Sequence, residues 1–246
     1  GDQTAELPLD REGAKILFIP NPREILYLPV LLTATAKILR AANESWTLSS
    51  RTFDITNWAY YTGEPVSTLT ITERILDEAH RLGVTTLLST ECGHGFKILR
   101  QDARGWFGDR HCYEVRSLAE MFDDYIEQDR IRLDPNRQPQ RVTYHDPCNL
   151  GRKVGIIHQP RRVLRIAVTE FVDMQPSGAL NWCCGGGGGV GQIGRQTPTR
   201  LKAGSRKAAQ IRATGAEVLV PSCQNCFAQL NELNKEYALG IRLKTL

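Results

Sequence analysis

Five cysteines spaced as C-x34-CC-x38-CxxC constrain this chain more than any other feature: Cys148, Cys183, Cys184, Cys223 and Cys226. Adjacent cysteines such as Cys183 and Cys184 seldom bond to each other, because the resulting ring is strained. Secreted disulfide scaffolds are short, whereas this chain has 246 residues and seven cysteines, an odd number. Thiols grouped this way read as ligands of a metal or a metal cluster. A fold that serves them has to bring three separated stretches of chain to one point.

The rest of the sequence alternates short apolar runs with amphipathic stretches, which predicts strands and helices in turn. Expected strands are Ala14 to Ile19, Trp46 to Ser49, Val84 to Ser89 and His111 to Val115. Expected helices are Arg23 to Ala41, with Pro29 as a kink, Thr70 to Leu82 ended by Gly83, Phe96 to Ala103 and Ser117 to Gln128. A polar, turn-rich linker follows from Asp134 to Pro139, and the alternation then begins again. It predicts strands at Arg141 to Tyr144, Val218 to Val220 and Ile241 to Leu246. Helices are expected at Pro160 to Phe171, Pro198 to Ala213 and Cys226 to Leu239. Strands alternating with helices imply α/β layers with mostly parallel sheets.

The two stretches resemble each other. Asn181-Trp182-Cys183-Cys184 matches Asn57-Trp58-Ala59-Tyr60, and Glu217 to Phe227 matches Thr86 to Phe96. Tyr144-His145-Asp146-Pro147-Cys148 matches Ile19-Pro20-Asn21-Pro22-Arg23. The expected architecture is two pseudo-symmetric α/β lobes, 1–133 and 134–246, the ligands being kept in the second. In the first lobe Arg23, Ala59, Tyr60 and Gly95 stand where cysteines stand later, and Cys92 remains.

Soft thiolates suit iron–sulfur clusters. A CxxC that follows a strand and opens a helix points both sulfurs at one place, and the helix N-terminus favours thiolate. The CC pair runs into five glycines, Gly185 to Gly189, whose backbone can approach a bulky inorganic core. A cubane needs four thiolates and here five converge, which suits a cluster that is not a symmetric cube. Zinc held by four thiolates is the alternative.

Composition excludes other classes. Charged residues make up 24% of the chain and the formal net charge is +4, far from a nucleic-acid-binding footprint. The longest apolar candidate, Leu26 to Leu39, is too short for a bilayer and carries Pro29 and Lys37. No secretory signal is visible. The sequence opens on Gly1-Asp2-Gln3-Thr4 without an initiator Met, which reads as a piece of something longer.

Tyr144-His145-Asp146-Pro147-Cys148-x-Leu150-Gly151-Arg152, Cys183-Cys184-Gly185 and Cys223-Gln224-Asn225-Cys226 together resemble the cysteine-rich CCG domain. That domain occurs in the B and D subunits of heterodisulfide reductase and in many respiratory iron–sulfur oxidoreductases. One degraded and one intact motif looks most like the K subunits of membrane-bound Dsr redox complexes of sulfur-metabolising prokaryotes. The resemblance implies a non-cubane [4Fe-4S] cluster on Cys148, Cys183, Cys184, Cys223 and Cys226, with Gly185 beside it. It implies one-electron reductive cleavage of a disulfide, with electrons from a ferredoxin-like domain carrying cubane clusters. It further implies partner subunits of a membrane-associated redox complex, a sulfur-carrier protein with reactive cysteines as substrate, and a cytoplasmic place at the membrane through those partners. The rival is a pure electron-transfer subunit of a flavin-dependent glycerol-3-phosphate, lactate or glycolate oxidising system.

Among the remaining residues, Cys92 is expected to bond transiently to a substrate sulfur or to add a ligand, with a relic of a lost site as the alternative. His94 is a candidate proton shuttle, with helix capping or packing as the alternative. Cys112 is expected to be a buried structural thiol. His145 and Asp146 could support the neighbouring ligand or simply form a turn. Arg152 could dock an acidic arm or offset cluster charge.

Overall fold

In the computed structural model, residues 7–90 and 93–246 are described. The chain divides into two compact units, Gly1–Arg132 and Leu133–Leu246.

The first unit runs β1 (Ile16–Ile19), α1 (Pro22–Leu26), α2 (Pro29–Ala41), β2 (Trp46–Thr47), α3 (Ala59–Thr62), α4 (Pro65–Leu82), β3 (Thr86–Ser89), α5 (Gly93–Lys97), α6 (Ala103–Phe107), β4 (Glu114–Ser117) and α7 (Leu118–Glu127). Its sheet has the order β2-β1-β3-β4, with every pair parallel. Strands β1 and β3 are buried along their whole length, as parallel strands covered by helices on both faces must be. The helix expected over Arg23 to Ala41 is two helices. Pro29 opens the second one rather than kinking a single one, since a proline is tolerated in a first turn where its missing N–H has no partner to lose. Strand β4 begins at Glu114, three residues after the expected His111. Its position is set by the capping box that starts α7. Ser117 Oγ accepts from the Glu120 amide (3.2 Å) and Glu120 Oε2 accepts from the Ser117 amide (3.0 Å).

The second unit runs β5 (Val142–His145), α8 (His158–Ala167), β6 (Phe171–Val172), α9 (Thr197–Ala203), α10 (Ser205–Ala213), β7 (Val218–Pro221), α11 (Gln224–Glu236) and β8 (Arg242–Leu243). Its sheet order is β6-β5-β7-β8, again all parallel. Both units are thus α/β with the same strand order. Phe171, expected at the end of a helix, lies instead in β6. Val168 turns the chain to extended backbone (φ −134°, ψ 154°) and ends α8. The core of this unit joins Val142, Tyr144, Val218 and Val220 on one side to Leu219, Leu230 and Leu233 on the other.

From β5 the chain passes to β6 on one flank and then to β7 on the opposite flank. The carboxyl ends of β5 and β7, paired at His145 and Pro221, therefore border a topological switch point, the place where open α/β sheets leave a crevice.

Candidate metal centre

The five cysteines of the second unit arrive at that crevice on three segments. Cys148 follows β5 and opens a π-helical turn, Cys148–Lys153. Cys183 and Cys184 lie in the loop after Leu180. Cys223 sits directly before α11 and Cys226 in its first turn, so the strand-to-helix transition places both on one side of the helix start. The Cys223 side chain does not cap the helix.

An ionic brace fixes the first of these segments. Arg161 of α8 donates from Nη1 to Asp146 Oδ1 (2.7 Å) and from Nη2 to Asp146 Oδ2 (2.8 Å), and it also reaches Asp173 at 2.9 Å. Asp146 Oδ2 accepts in addition from the Gly178 amide at 2.8 Å. Asp146 is therefore more than a plain turn residue: it ties the end of β5 to α8 and to the chain that leads to Cys183. Asn181 completes the tie by donating to the Asp146 carbonyl at 2.8 Å. Arg152, read from the sequence as able to dock an acidic arm or offset cluster charge, donates to the carbonyls of Ala179 (2.7 Å) and Asn181. Its guanidinium holds the cysteine loop.

The glycine run has two kinds of member. A Cβ at Gly185 (φ +90°) would lie 2.7 Å from the Arg200 carbonyl and 3.1 Å from the Gly204 amide. Gly185 is glycine because the CC loop presses backbone to backbone on the junction of α9 and α10. Gly204, at that junction, is held the same way, since its Cβ would lie 2.8 Å from the Cys184 carbonyl and 2.7 Å from Leu233 Cδ2. A Cβ at Gly187 would instead meet nothing within 4 Å.

The thiols share one site. Sγ of Cys184 and Cys226 are 3.5 Å apart, and the Gly185 amide donates to Cys183 Sγ at 3.3 Å. Ligand atoms of His145, Cys184 and Cys226, all buried, lie within 4.8 Å of one another. A hydrogen bond to Cys183, then burial, holds the Cys148 thiol far above the ordinary thiol range. Cys184 is pushed up to about 12, first by its hydrogen bond to Cys183. Hydrogen bonds to Cys184 and Cys223, with burial, raise Cys226 well above its usual value. Cys183 is lowered, by hydrogen bonds from Cys148 and Cys184 and by the Gly185 amide. A negative charge is favoured on Cys183 while Cys148, Cys184 and Cys226 are held protonated, as like charges crowded in a low dielectric require. Such a donor set fits a polynuclear cation centre, whose positive charge allows the remaining thiols to ionise.

Around the thiols, His145 is 1% exposed and burial lowers its imidazole well below its ordinary range. Its Nδ1 lies 3.4 Å from Asn181 Nδ2. Lys207 of α10 is 0% exposed, and its Nζ donates to Asn181, Gln210 and, at 3.5 Å, Met174 Sδ. Burial lowers its pKa to about 8 against the pull of Asp146 and of Cys184, Cys226 and Cys183. Sequence reading passed over Lys207, although its place four residues before Ile211 on the buried stripe of α10 was a signal.

Of the other expected residues, Cys92 lies outside the described residues. His94, in α5, is 3% exposed and packs between the rings of Trp58 (5.5 Å) and Tyr61 (5.1 Å). Burial lowers its pKa to about 4, so at neutral pH it is uncharged. Cys112 corrects the expectation of a buried thiol. It is exposed in the loop before β4, and its neighbour His111 is the buried residue, bonded to the Leu99 carbonyl at 2.6 Å.

Residues 142–231 match the family model of the cysteine-rich domain called CCG. The second unit carries a CCG domain. Relatives extend the likeness to the longer chain. A "probable membrane-anchored ferredoxin" of Chromohalobacter salexigens is 33% identical over 202 residues, 81% of this chain and 30% of that protein. The D subunit of the dihydromethanophenazine:CoB–CoM heterodisulfide reductase of Methanosarcina mazei is 37% identical over 136 residues, 55% of this chain and 32% of that protein. The Hdr-like menaquinol oxidoreductase iron–sulfur subunit 2 of Archaeoglobus fulgidus is 27% identical over 231 residues, 74% of this chain and 40% of that one. The chain thus spans about a third of the length of these relatives. Among the described residues no helix is long and apolar enough to cross a membrane.

Proposed function

We propose that this chain is part of an iron–sulfur oxidoreductase subunit. In this reading its CCG domain holds a non-cubane [4Fe-4S] cluster on Cys148, Cys183, Cys184, Cys223 and Cys226 and carries out heterodisulfide reductase-like thiol–disulfide chemistry. One observation carries the reading: the CC and CxxC sulfurs, with Cys148, form one electrostatically coupled set at the carboxyl ends of two adjacent parallel strands. The relatives, a heterodisulfide reductase subunit and an Hdr-like iron–sulfur subunit among them, support the redox class.

When bound, the cluster supplies electrons one at a time. The chain's own residues position its ligands: Arg161 and Asp146 fix the approach to Cys148, and Asn181 and Arg152 fix the approach to Cys183. In the net reaction a disulfide, two electrons and two protons yield two thiols. Cys92 is proposed to displace one substrate sulfur as a thiol. The departing thiol takes the Cys92 proton, and the mixed disulfide left on Cys92 then takes up the two electrons and both protons, releasing the second substrate thiol and restoring the Cys92 thiol. His94, neutral at pH 7, is proposed to pass protons on that path. The substrate proposed is a cysteine-bearing sulfur-carrier protein. The electron partner is a ferredoxin-like cubane domain within a respiratory or sulfur-metabolism complex that holds this chain at the cytoplasmic side of a membrane. The first unit is read as a degenerate copy of the CCG domain, without cluster.

A second reading, pure electron transfer to a flavin-dependent partner, is favoured by the likeness to a probable ferredoxin. The test is anaerobic reconstitution. Iron and sulfide should bind in equal amounts, about four of each per chain. The dithionite-reduced protein should then be reoxidised by a protein disulfide with no flavoprotein present. Zinc binding with no sulfide uptake would remove the cluster. A loaded protein inert to every disulfide offered would leave electron transfer.

A further inference from the structure

Lys207 is the buried charge that the arrangement so far does not use. Its ammonium is fully enclosed, and all the atoms that accept from it are neutral: Asn181 Oδ1, Gln210 Oε1 and Met174 Sδ. Taking an ammonium out of water without an anion is costly, and neutral acceptors repay only part of that cost. One anion acting on it is Asp146, whose two oxygens are already bound by Arg161. Also acting on it are the sulfurs of Cys184, Cys226 and Cys183, and of these three Cys183 is the one whose ionised form is favoured.

The first unit provides an internal comparison. Helix α4 leads to Gly83 (φ +67°) and α10 to Gly215 (φ +61°), and each glycine is followed three residues later by the first residue of a central strand, Thr86 and Val218. Counting eight residues back from each glycine gives Ile75 and Lys207. Ile75 is 2% exposed, and Leu76 beside it is equally buried. The same place in the same topology is filled by an apolar side chain in the unit where Arg23, Ala59, Tyr60 and Gly95 stand in place of four of the five cysteines. The fold therefore does not need a cation there, and the cation accompanies the thiols.

We propose that Lys207 is a positioning residue of the cluster site, a fixed counter-charge that favours the more reduced, more negative state of the bound cluster while holding Asn181 beside Cys183. The proposal rests on the reading that these cysteines bind an iron–sulfur cluster. Lys207 needs no contact with substrate.

The test uses the anaerobically reconstituted protein and two variants, Lys207→Gln, which keeps a donor without the charge, and Lys207→Met. Iron and sulfide per chain, the urea midpoint of the metal-free protein and the midpoint potential followed by electron paramagnetic resonance are the readouts. The expected result is a loaded cluster whose potential falls in both variants. At fixed ambient potential the reduced-to-oxidised ratio should drop at least tenfold, which is 59 mV for one electron. An unchanged potential in a fully loaded variant overturns the proposal. If both variants fail to load iron while the metal-free protein keeps its urea midpoint, the counter-charge is needed for assembly and the proposal stands. If iron and metal-free stability are lost together, Lys207 is a structural brace and the proposal fails. A wild-type protein that takes up no iron and sulfide would refute the cluster reading itself, a result distinct from all of these.

Discussion

Replacing Gly185 by alanine should unfold the CCG domain more easily, and the size of the effect follows from the backbone it meets. An L-residue at φ +90° is strained by about 1–2 kcal/mol, and forcing a methyl into close-packed atoms costs roughly 1–3 kcal/mol. The Arg200 carbonyl at 2.7 Å and the Gly204 amide at 3.1 Å are both main chain, so neither can swing aside. Alanine returns about 0.4–1 kcal/mol by restricting the unfolded chain. The net cost is roughly 1–4.5 kcal/mol, and with a urea slope of about 1.5–2 kcal/mol per molar the midpoint should fall by about 0.5–3 M. Gly187→Ala, two residues on and open on all sides, is the matched control and should stay within about 0.5 kcal/mol of wild type. Urea titration of both metal-free variants, with tyrosine and tryptophan fluorescence, is the assay. Equal shifts for the two variants, or a wild-type midpoint for Gly185→Ala, would refute the argument that Gly185 is fixed by the α9–α10 junction.

Serine in place of Cys148, Cys183, Cys184, Cys223 or Cys226 should abolish or sharply lower iron and sulfide binding, whereas Cys112→Ser should bind a full complement. Cys92→Ser should keep the iron but slow disulfide reduction. Loss of iron would make Cys92 a ligand, and undiminished turnover would favour simple electron transfer. Arg161→Met leaves the buried Asp146 carboxylate with only the Gly178 amide among its side-chain bonds and should cost about 3–5 kcal/mol, much of it recovered in the Asp146→Asn double variant. A urea-based double-mutant cycle measures the coupling, and additive costs would sink it. His94 has a folded pKa of about 4, below its unfolded value, so its stabilising share is complete above about pH 6.5 and is lost as pH falls through 4. The stability of the first unit should decline over that window, and less steeply in His94→Gln. Parallel pH profiles would show that another group is responsible.

The sequence made the central strands legible because strands buried on both faces, Ile16–Ile19 and Val218–Pro221, are unbroken apolar runs. The cysteines were legible because their spacing has few other uses. Elements with little apolar surface were not. Strand β6 has two residues, neither fully buried, and its pairing with β5 is set by tertiary contact rather than local preference. The π-helical turn at Cys148–Lys153 leaves no periodic trace. Lys207 sits among Arg206, Arg212 and Lys202, where a lysine reads as one more solvated charge. Cys112 misled through its neighbours, since an expected strand from His111 implied burial along its length, whereas the strand begins at Glu114 and Cys112 lies exposed in the loop before it.

The glycine at the α9–α10 junction sets a requirement for anyone who would furnish the first unit with a centre of its own. Eleven residues before Gly83 in α4 stands Thr72, and eleven before Gly215 stands Gly204. Helix α4 runs through Thr72 without interruption, while its counterpart breaks at Gly204 to let the Cys184 carbonyl pass. Thr72 also fills the gap with its own side chain, whose Oγ1 accepts from Asn57 at 3.3 Å and donates to the Thr68 carbonyl at 2.9 Å. Cysteines grafted at positions 59 and 60 would therefore meet a closed wall. Transplanting the cysteine loop would call for Thr72→Gly as well, since the notch at Gly204 is what lets the Cys184 carbonyl lie against its helix.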